Sequence, residues 1–349
     1  MMTSMPPVKT TAKQLLITGS TGFVGRNLLI HALKDPSWSQ IILPVRNPKK
    51  LLEQLHQDHL QGYLDRLHLC TVSKNTWNLE GIEDLDLAIH CAGLTFSRDR
   101  DPYFATHVEG SLHLLESLPK HSRLLVLSSQ SAAGPSSKII PIRRENHLEK
   151  PLTWYGKSKL AMEKNLSLLA YERLLILRPP MILGPRDTAT VPLFNMAKGR
   201  VRFKPGFKKK EYSWIAVDDL CDAILLAARN DWSSLPQRCY FLAHPKTLTD
   251  IALLKTTAEI IHASGITLPL PHALIRCISR VADLVPTLRE ALPSLGRDRV
   301  KEIFEQRWVI DGKPFERDFQ WKAQKDLRET LQETAIWLER NRSSKSKSQ

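Results

Sequence analysis

Leu15-Leu16-Ile17-Thr18-Gly19-Ser20-Thr21-Gly22-Phe23-Val24-Gly25-Arg26-Asn27-Leu28 begins as an apolar run, breaks at three glycines spaced three residues apart, and resumes with helical periodicity. The pattern predicts a strand, a tight turn and a helix. Gly19 lets the chain leave the strand sharply, Gly22 lets the backbone approach a pyrophosphate, and Gly25 lets the following helix pack closely on the sheet. That helix aims its free N–H groups and positive dipole end at the phosphates. A glycine triplet alone also closes ordinary loops, and its place between strand and helix patterns is what selects a dinucleotide site. The expected cradle is Gly19, Ser20, Thr21, Gly22, Phe23, Val24 and Gly25.

A second constellation follows. Ser129 closes the apolar run Leu124-Leu125-Val126-Leu127-Ser128-Ser129, and Tyr155-Gly156-Lys157-Ser158-Lys159 lies about one crossover later. Tyr155 and Lys159, four residues apart, share a helix face. From there a lysine ammonium can lower the pKa of the phenol and hydrogen-bond a cofactor ribose, while a serine hydroxyl orients a substrate carbonyl or alcohol beside the same phenol. By itself such a pair is an ordinary exposed helix face. Joined to the glycine turn, it is proton-transfer equipment for hydride chemistry.

On these residues the chain resembles an extended short-chain dehydrogenase/reductase of the NAD-dependent epimerase/dehydratase superfamily, most closely the branch holding 3β-hydroxysteroid dehydrogenases and dihydroflavonol reductases. Further matching pieces are Ile89-His90-Cys91-Ala92-Gly93, residues 128–135, Leu177-Arg178-Pro179-Pro180 and Val217-Asp218-Asp219-Leu220. The resemblance covers nearly the whole length. It implies a triad in which Tyr155 is the general acid/base, Lys159 its activator and ribose anchor, and Ser129, rather than Ser128, the polariser of the substrate oxygen. His107 stands where relatives carry an asparagine that supports a water-linked proton path, so a relay and a satisfied helix histidine both stay open. The stretch Leu69-Cys70-Thr71-Val72-Ser73 lacks the acidic residue that relatives place near the adenine, and Ala216 replaces a common histidine.

Cofactor choice is read from the end of the second strand, Val45-Arg46-Asn47-Pro48-Lys49-Lys50. A carboxylate there would hold both ribose hydroxyls of NAD, but the cations Arg46, Lys49 and Lys50 occupy the stretch instead. A planar guanidinium suits a ribose 2′-phosphate. The expectation is NADP(H) over NAD(H), with NAD(H) left open.

Apolar runs at 15–18, 41–45, 67–72, 87–92, 124–129 and 174–178, with helical patterns between them, predict an α/β fold: a Rossmann-type doubly wound parallel sheet with a smaller C-terminal substrate lobe. Gly19, Arg46, Ala92, Ser129 and Pro179 then fall at the carboxyl ends of strands, where ligands sit. The NADP-binding domain is expected over 13–185, with 212–244 returning to it, and the lobe over 186–211 and 245–341. Residues 1–12 read as a disordered N-terminus and 342–349 as a disordered basic tail. Residues 268–284 place apolar side chains at helical spacing, which suits lobe packing, the lining of a lipophilic substrate site or a membrane-facing helix.

The formal net charge of +14 would suit an anionic partner. Its densest cluster, 198–210, reads as a solvated loop, with contact to an anionic substrate or a peripheral membrane surface left open. No module or stacking platform for nucleic acid is present. Five cysteines, Cys70, Cys91, Cys221, Cys239 and Cys277, are scattered with no Cys-x-x-Cys spacing, so neither a disulfide framework nor a metal site is expected. Cys91 and Cys277 read as small core residues. With no signal-peptide or membrane-length apolar run, a cytoplasmic protein is expected.

Together these readings predict an NADP(H)-dependent oxidoreductase that interconverts a carbonyl and a secondary alcohol on a small molecule, with a lipophilic substrate left open. Three alternatives stand beside it. A nucleotide-sugar epimerase or dehydratase with tightly bound NAD shares the triad, although Arg178-Pro179-Pro180 replaces the Arg-Tyr-Phe-Asn motif of that group. A thioester or acyl-CoA reductase resembles the first half, and a non-enzymatic NADPH-sensing interaction protein would keep only the cofactor site. A homodimer through the Tyr155 helix is an analogy to the family.

Overall fold

Successive residues of a strand point to opposite faces, and in this chain both faces are covered. Leu15, Ile17, Ile41, Leu43, Ile89 and Leu125 pack into one hydrophobic cluster, while Leu16, Ile42, Ala88, Leu124 and Val126 pack into another on the opposite side. That is why the strands read as continuous apolar runs. The computed structural model describes residues 13–73, 76–284, 296 and 298–346.

The strands are β1 (Lys13–Thr18), β2 (Trp38–Val45), β3 (Leu67–Ser73), β4 (Thr76–Trp77), β5 (Leu87–His90), β6 (Arg123–Leu127), β7 (Leu174–Arg178), β8 (Met181–Leu183), β9 (Val201–Pro205), β10 (Glu211–Tyr212), β11 (Trp214–Ala216), β12 (Cys239–Phe241), β13 (Leu248–Thr249), β14 (Ile266–Leu270) and β15 (Arg307–Trp308). The main sheet runs β12-β7-β6-β5-β1-β2-β3-β4 and is parallel except for the short β3/β4 pair. Leu16 pairs with Ile42 on one side and Ala88 on the other, so the strand order reverses at β1. A crevice opens at such a reversal, beyond the carboxyl ends of the strands.

The helices are α1 (Phe23–Lys34), α2 (Pro48–Gln57), α3 (Arg100–Phe104), α4 (Gly110–Ser117), α5 (Gln130–Ala133), α6 (Trp154–Ala170), α7 (Val191–Ala197), α8 (Val217–Arg229), α9 (Asp250–Ile260), α10 (His272–Leu284), α11 (Val300–Phe304), α12 (Lys313–Phe319) and α13 (Leu327–Ser346). A π-helical turn, Ala105–Glu109, joins α3 to α4. Helix α1 packs on α8, and β12 adds to the far edge beside β7. Small sheets β11/β8, β14/β9 and β13-β10-β15 form the rest, together with α7, α9 and the Leu331 and Leu338 face of α13, which packs on Phe194.

Four expectations are corrected. Residues 266–270 form a strand, and the helix begins only at His272, because Pro269 and Pro271 cannot sit inside a helix without removing donors and clashing with the preceding turn. The basic stretch 198–210 contains β9, and Arg202, Lys204 and Lys210 within it are buried rather than solvated. Phe315 and Phe319 on α12 pack into the sheet-domain core instead of the lobe, one helical turn apart. Cys277 is exposed, since the buried side of α10 is the Ile275 and Ser279 side. Helix α13 also continues to Ser346, into the stretch expected as a tail, while 1–12 and 347–349 lie outside the described residues.

Candidate active site

The glycine turn after β1 is built backbone against backbone. Gly19 has φ +71°, and a Cβ on it would lie 2.8 Å from the Ala92 nitrogen; a Cβ on Gly25 would lie 2.1 Å from the Gly19 oxygen. Any side chain at either position would push β1, the 91–93 segment and α1 apart. Thr18 closes the same corner, its hydroxyl accepting the Ala92 N–H at 3.1 Å. Gly22 precedes α1 without a side-chain cap, so the first N–H groups of that helix stay open to a ligand. The Ser20 hydroxyl is buried without a partner, in the position where a phosphate oxygen would supply one. Thr21 is tied back by its carbonyl to Gln54 at 3.3 Å, and Phe23 and Val24 pack partly buried on the core. These features fit a dinucleotide.

Arg46 is exposed directly after β2. Asn47 then caps α2, its side-chain oxygen accepting the Lys50 N–H at 3.0 Å. Pro179, directly after β7, is buried, and its carbonyl accepts the Gln130 N–H at 2.9 Å. Sequence-distant Gly19, Ala92, Ser129 and Pro179 thus follow the adjacent strands β1, β5, β6 and β7.

Ser128 and Ser129 part company as neighbours in an extended backbone must. The Ser129 side chain faces the Tyr155 phenol and accepts the Ser131 N–H at 3.2 Å, whereas the Ser128 hydroxyl donates to the buried Glu163 carboxylate. Tyr155 lies in the first turn of α6, which is capped by Thr153 through the Gly156 N–H at 3.2 Å. Burial pushes its phenol above the ordinary value, against the lowering effect of Ser129 and Arg299. Lys159, one turn further on, is buried and donates to the Leu127 carbonyl at 2.9 Å; burial pushes its pKa down to about 8. The expected depression of the phenol by Lys159 is therefore absent here. Desolvation dominates, and the ammonium is held by strand β6.

His107 sits in the π-helical turn. Its Nε2 accepts the Leu94 N–H at 3.0 Å and its Nδ1 faces the Ser158 hydroxyl at 2.8 Å, which in turn donates to the Tyr155 carbonyl at 2.9 Å. An Nε2 that accepts leaves the proton on Nδ1. Burial and the nearby Lys159 charge push its pKa down to about 2, so both ring nitrogens are committed and the ring stays neutral. It positions the 94 segment and the α6 backbone. His90 is likewise buried, between Thr18 at 2.8 Å and Ser111 at 2.9 Å, with its pKa pushed down to about 3.

Two features escaped the sequence reading. Tyr155, Lys159 and Glu163 fall one turn apart along α6, and Glu163 receives Arg178 Nε at 3.0 and 3.2 Å. A buried carboxylate continuing the Tyr/Lys face was the signal for this anchor, and Arg178 is its partner from the end of β7. The second feature is the 298–302 segment. Asp298 accepts the Trp154 N–H at 2.7 Å, Glu302 accepts the Thr153 hydroxyl at 2.8 Å, and Arg299 lies 5.2 Å above the Tyr155 ring. Nothing local in the sequence marks these contacts across some 144 positions.

Over 303 residues the chain is 24% identical to the ceramide reductase of Caulobacter vibrioides (strain NA1000 / CB15N), spanning 85% of this chain and 86% of that protein. It is 26% identical over 247 residues to ketoreductase azaE of Aspergillus niger, spanning 61% of this chain and 72% of that one. Among solved structures, dTDP-glucose 4,6-dehydratase from Bacillus anthracis in complex with NAD superposes with a TM-score of 0.71 at 18% identity, covering 95% and 98% of the two chains. UDP-glucuronic acid 4-epimerase from Bacillus cereus, in complex with UDP-glucuronic acid and NAD, gives 0.72 at 17% identity, covering 94% and 99%. The glycine turn, the reversal at β1 and the helix α6 all lie inside residues 15–241, where the sequence matches the NAD dependent epimerase/dehydratase family, and the chain belongs to that family of nicotinamide-dinucleotide enzymes.

Proposed function

We propose that the protein is an NADP(H)-dependent oxidoreductase interconverting a carbonyl and a secondary alcohol on a lipophilic small molecule. The observation that carries this reading is the placing of the Ser129 hydroxyl, at the end of β6, against the buried Tyr155 hydroxyl, with Lys159 one turn along the same helix. A carbonyl oxygen placed between those hydroxyls would meet two donors aimed at one point. Residues 19–25 and Lys159 would hold the dinucleotide, which when bound supplies or accepts the hydride. Tyr155 gives the oxygen its proton and Ser129 stabilises the charge developing on it.

Two considerations narrow the substrate and cofactor. A relative named for ceramide reduction aligns along most of the chain, and a ketoreductase along much of it, which supports a carbonyl and a lipophilic body. Arg46, exposed at the end of β2 with no carboxylate in the stretch 46–50, supports the 2′-phosphate of NADPH. Titration with NADPH and NADH, followed by nicotinamide fluorescence, tests the reading together with NADPH consumption on a long-chain keto amide and on a UDP-hexose. The expected result is reversible NADPH binding, about tenfold or more tighter than NADH, with the difference shrinking in Arg46→Ala. Retained NAD, and conversion of the UDP-hexose without net oxidation, would replace it with an epimerase.

A further inference from the structure

The strand β9 is turned inside out. Its Arg202 and Lys204 point inward and are buried, Arg202 donating to the Gly199 and Ala263 carbonyls at 3.2 and 2.9 Å and Lys204 to those of Gly206 and Lys208 at 2.9 Å. Alternation therefore turns Val201 and Phe203 outward. The parallel partner β14 extends that face, setting Ile266 opposite Val201 and Leu268 opposite Phe203. These four side chains are 42–60% exposed. A half-buried strand ordinarily gives its charges to water and its apolar residues to the core. Here backbone carbonyls, joined at Lys204 by the Asp250 carboxylate at 3.5 Å, satisfy the cations, and the apolar side chains are left outside. A contiguous apolar face of this kind marks a surface with a partner.

Charge selects the partner. Residues 188–210 contain seven Lys or Arg and no Asp or Glu; residues 260–282 contain two Arg and again no acid. The β9/β14 pairing brings these two acid-free stretches together. Lys198, Arg200, Lys208 and Lys209 are exposed immediately before and after β9, and Phe207, between them, is 72% exposed. Directly after β14, α10 exposes Leu274, Cys277 and Val281 at helical spacing. Apolar side chains flanked by exposed cations, on two stretches that carry no acid of their own, match the boundary between phosphate headgroups and acyl chains.

We propose that the β9/β14 ribbon, with α10, docks the protein reversibly on an anionic lipid bilayer. This goes beyond the reaction proposed above and is separable from it, because vesicle binding is read whether or not a carbonyl is turned over. The test is co-sedimentation of the full chain with phosphatidylcholine vesicles, with and without phosphatidylglycerol, at about 0.05 M and about 0.5 M salt. Binding should require phosphatidylglycerol, weaken at high salt, and fall about tenfold or more both in Lys208→Glu/Lys209→Glu and in Phe203→Ser/Leu268→Ser. All four positions are exposed, and melting curves check that each variant folds; the charge variant alone decides the matter if the apolar one does not. Equal binding to neutral vesicles, no binding, or binding unchanged in the variants would overturn the proposal. So would a wild-type dimer that becomes a monomer in the same variants, since the face would then belong to a second copy of the chain.

Discussion

Lys159 donates its ammonium to the Leu127 carbonyl at 2.9 Å, so the lysine beside Tyr155 is tied to the end of strand β6. Burial has pushed its pKa down to about 8. It is charged below that value and neutral above it, and an anionic dinucleotide binds the charged form better. NADPH affinity should therefore decline as pH rises past about 8, whereas Lys159→Arg, charged throughout, should lose that dependence. Dissociation constants across this range check it, and a flat wild-type profile would contradict it.

Glu163 and Arg178 form a buried pair that fixes α6 to the ends of β6 and β7. Glu163→Gln would leave the buried guanidinium with only the more distant Glu149 carboxylate, 3.5 Å away, at a cost of up to about 3–5 kcal/mol. Denaturant unfolding should show that loss, and Glu163→Leu/Arg178→Met should recover much of it because both buried charges leave together, while Glu149 keeps Lys164 at 3.9 Å. A double variant as unstable as the single one would count against this account of the pair.

Much of this architecture was legible in the chain because its physics is local or periodic. Strands buried on both faces leave unbroken apolar runs, as at 15–18 and 124–127, and the turn at Gly19 and Gly25 needs glycine for steric reasons that no other residue meets. Tyr155 and Lys159 show themselves by helical spacing. The next residue on that face, Glu163, was readable by the same rule, but its partner Arg178 comes from a different strand. The apolar pattern over 268–284 suggested one helix, yet Pro269 and Pro271 divide it, and the pairing of β14 with β9 is a long-range event. Asp298 and Arg299 reach the start of α6 from the far end of the chain, and only the folded molecule brings them there.

The histidines predict a response to acid. His107 and His90 are buried neutral, with pKa values of about 2 and about 3 against an ordinary 6.5. A depressed value in the folded state means that the unfolded chain takes up the proton first, so their contribution is whole above pH 6.5 and is lost as pH falls toward the folded values. One such group adds at most about 1.4 kcal/mol per pH unit to the slope. Stability measured by urea between pH 6.5 and 5 should fall less steeply in His107→Asn than in the wild type. Equal slopes would mean that His107 is not held neutral.

The central claim is that Tyr155 passes a proton to the substrate oxygen beside Ser129. Single-turnover oxidation of NADPH by a long-chain ketone, compared between wild type and Tyr155→Phe, tests it most directly. The substitution should slow the chemical step by about 10²–10⁴-fold while leaving NADPH affinity within about twofold. A Tyr155→Phe protein that reduces the ketone at close to the wild-type rate would show that the proton comes from elsewhere.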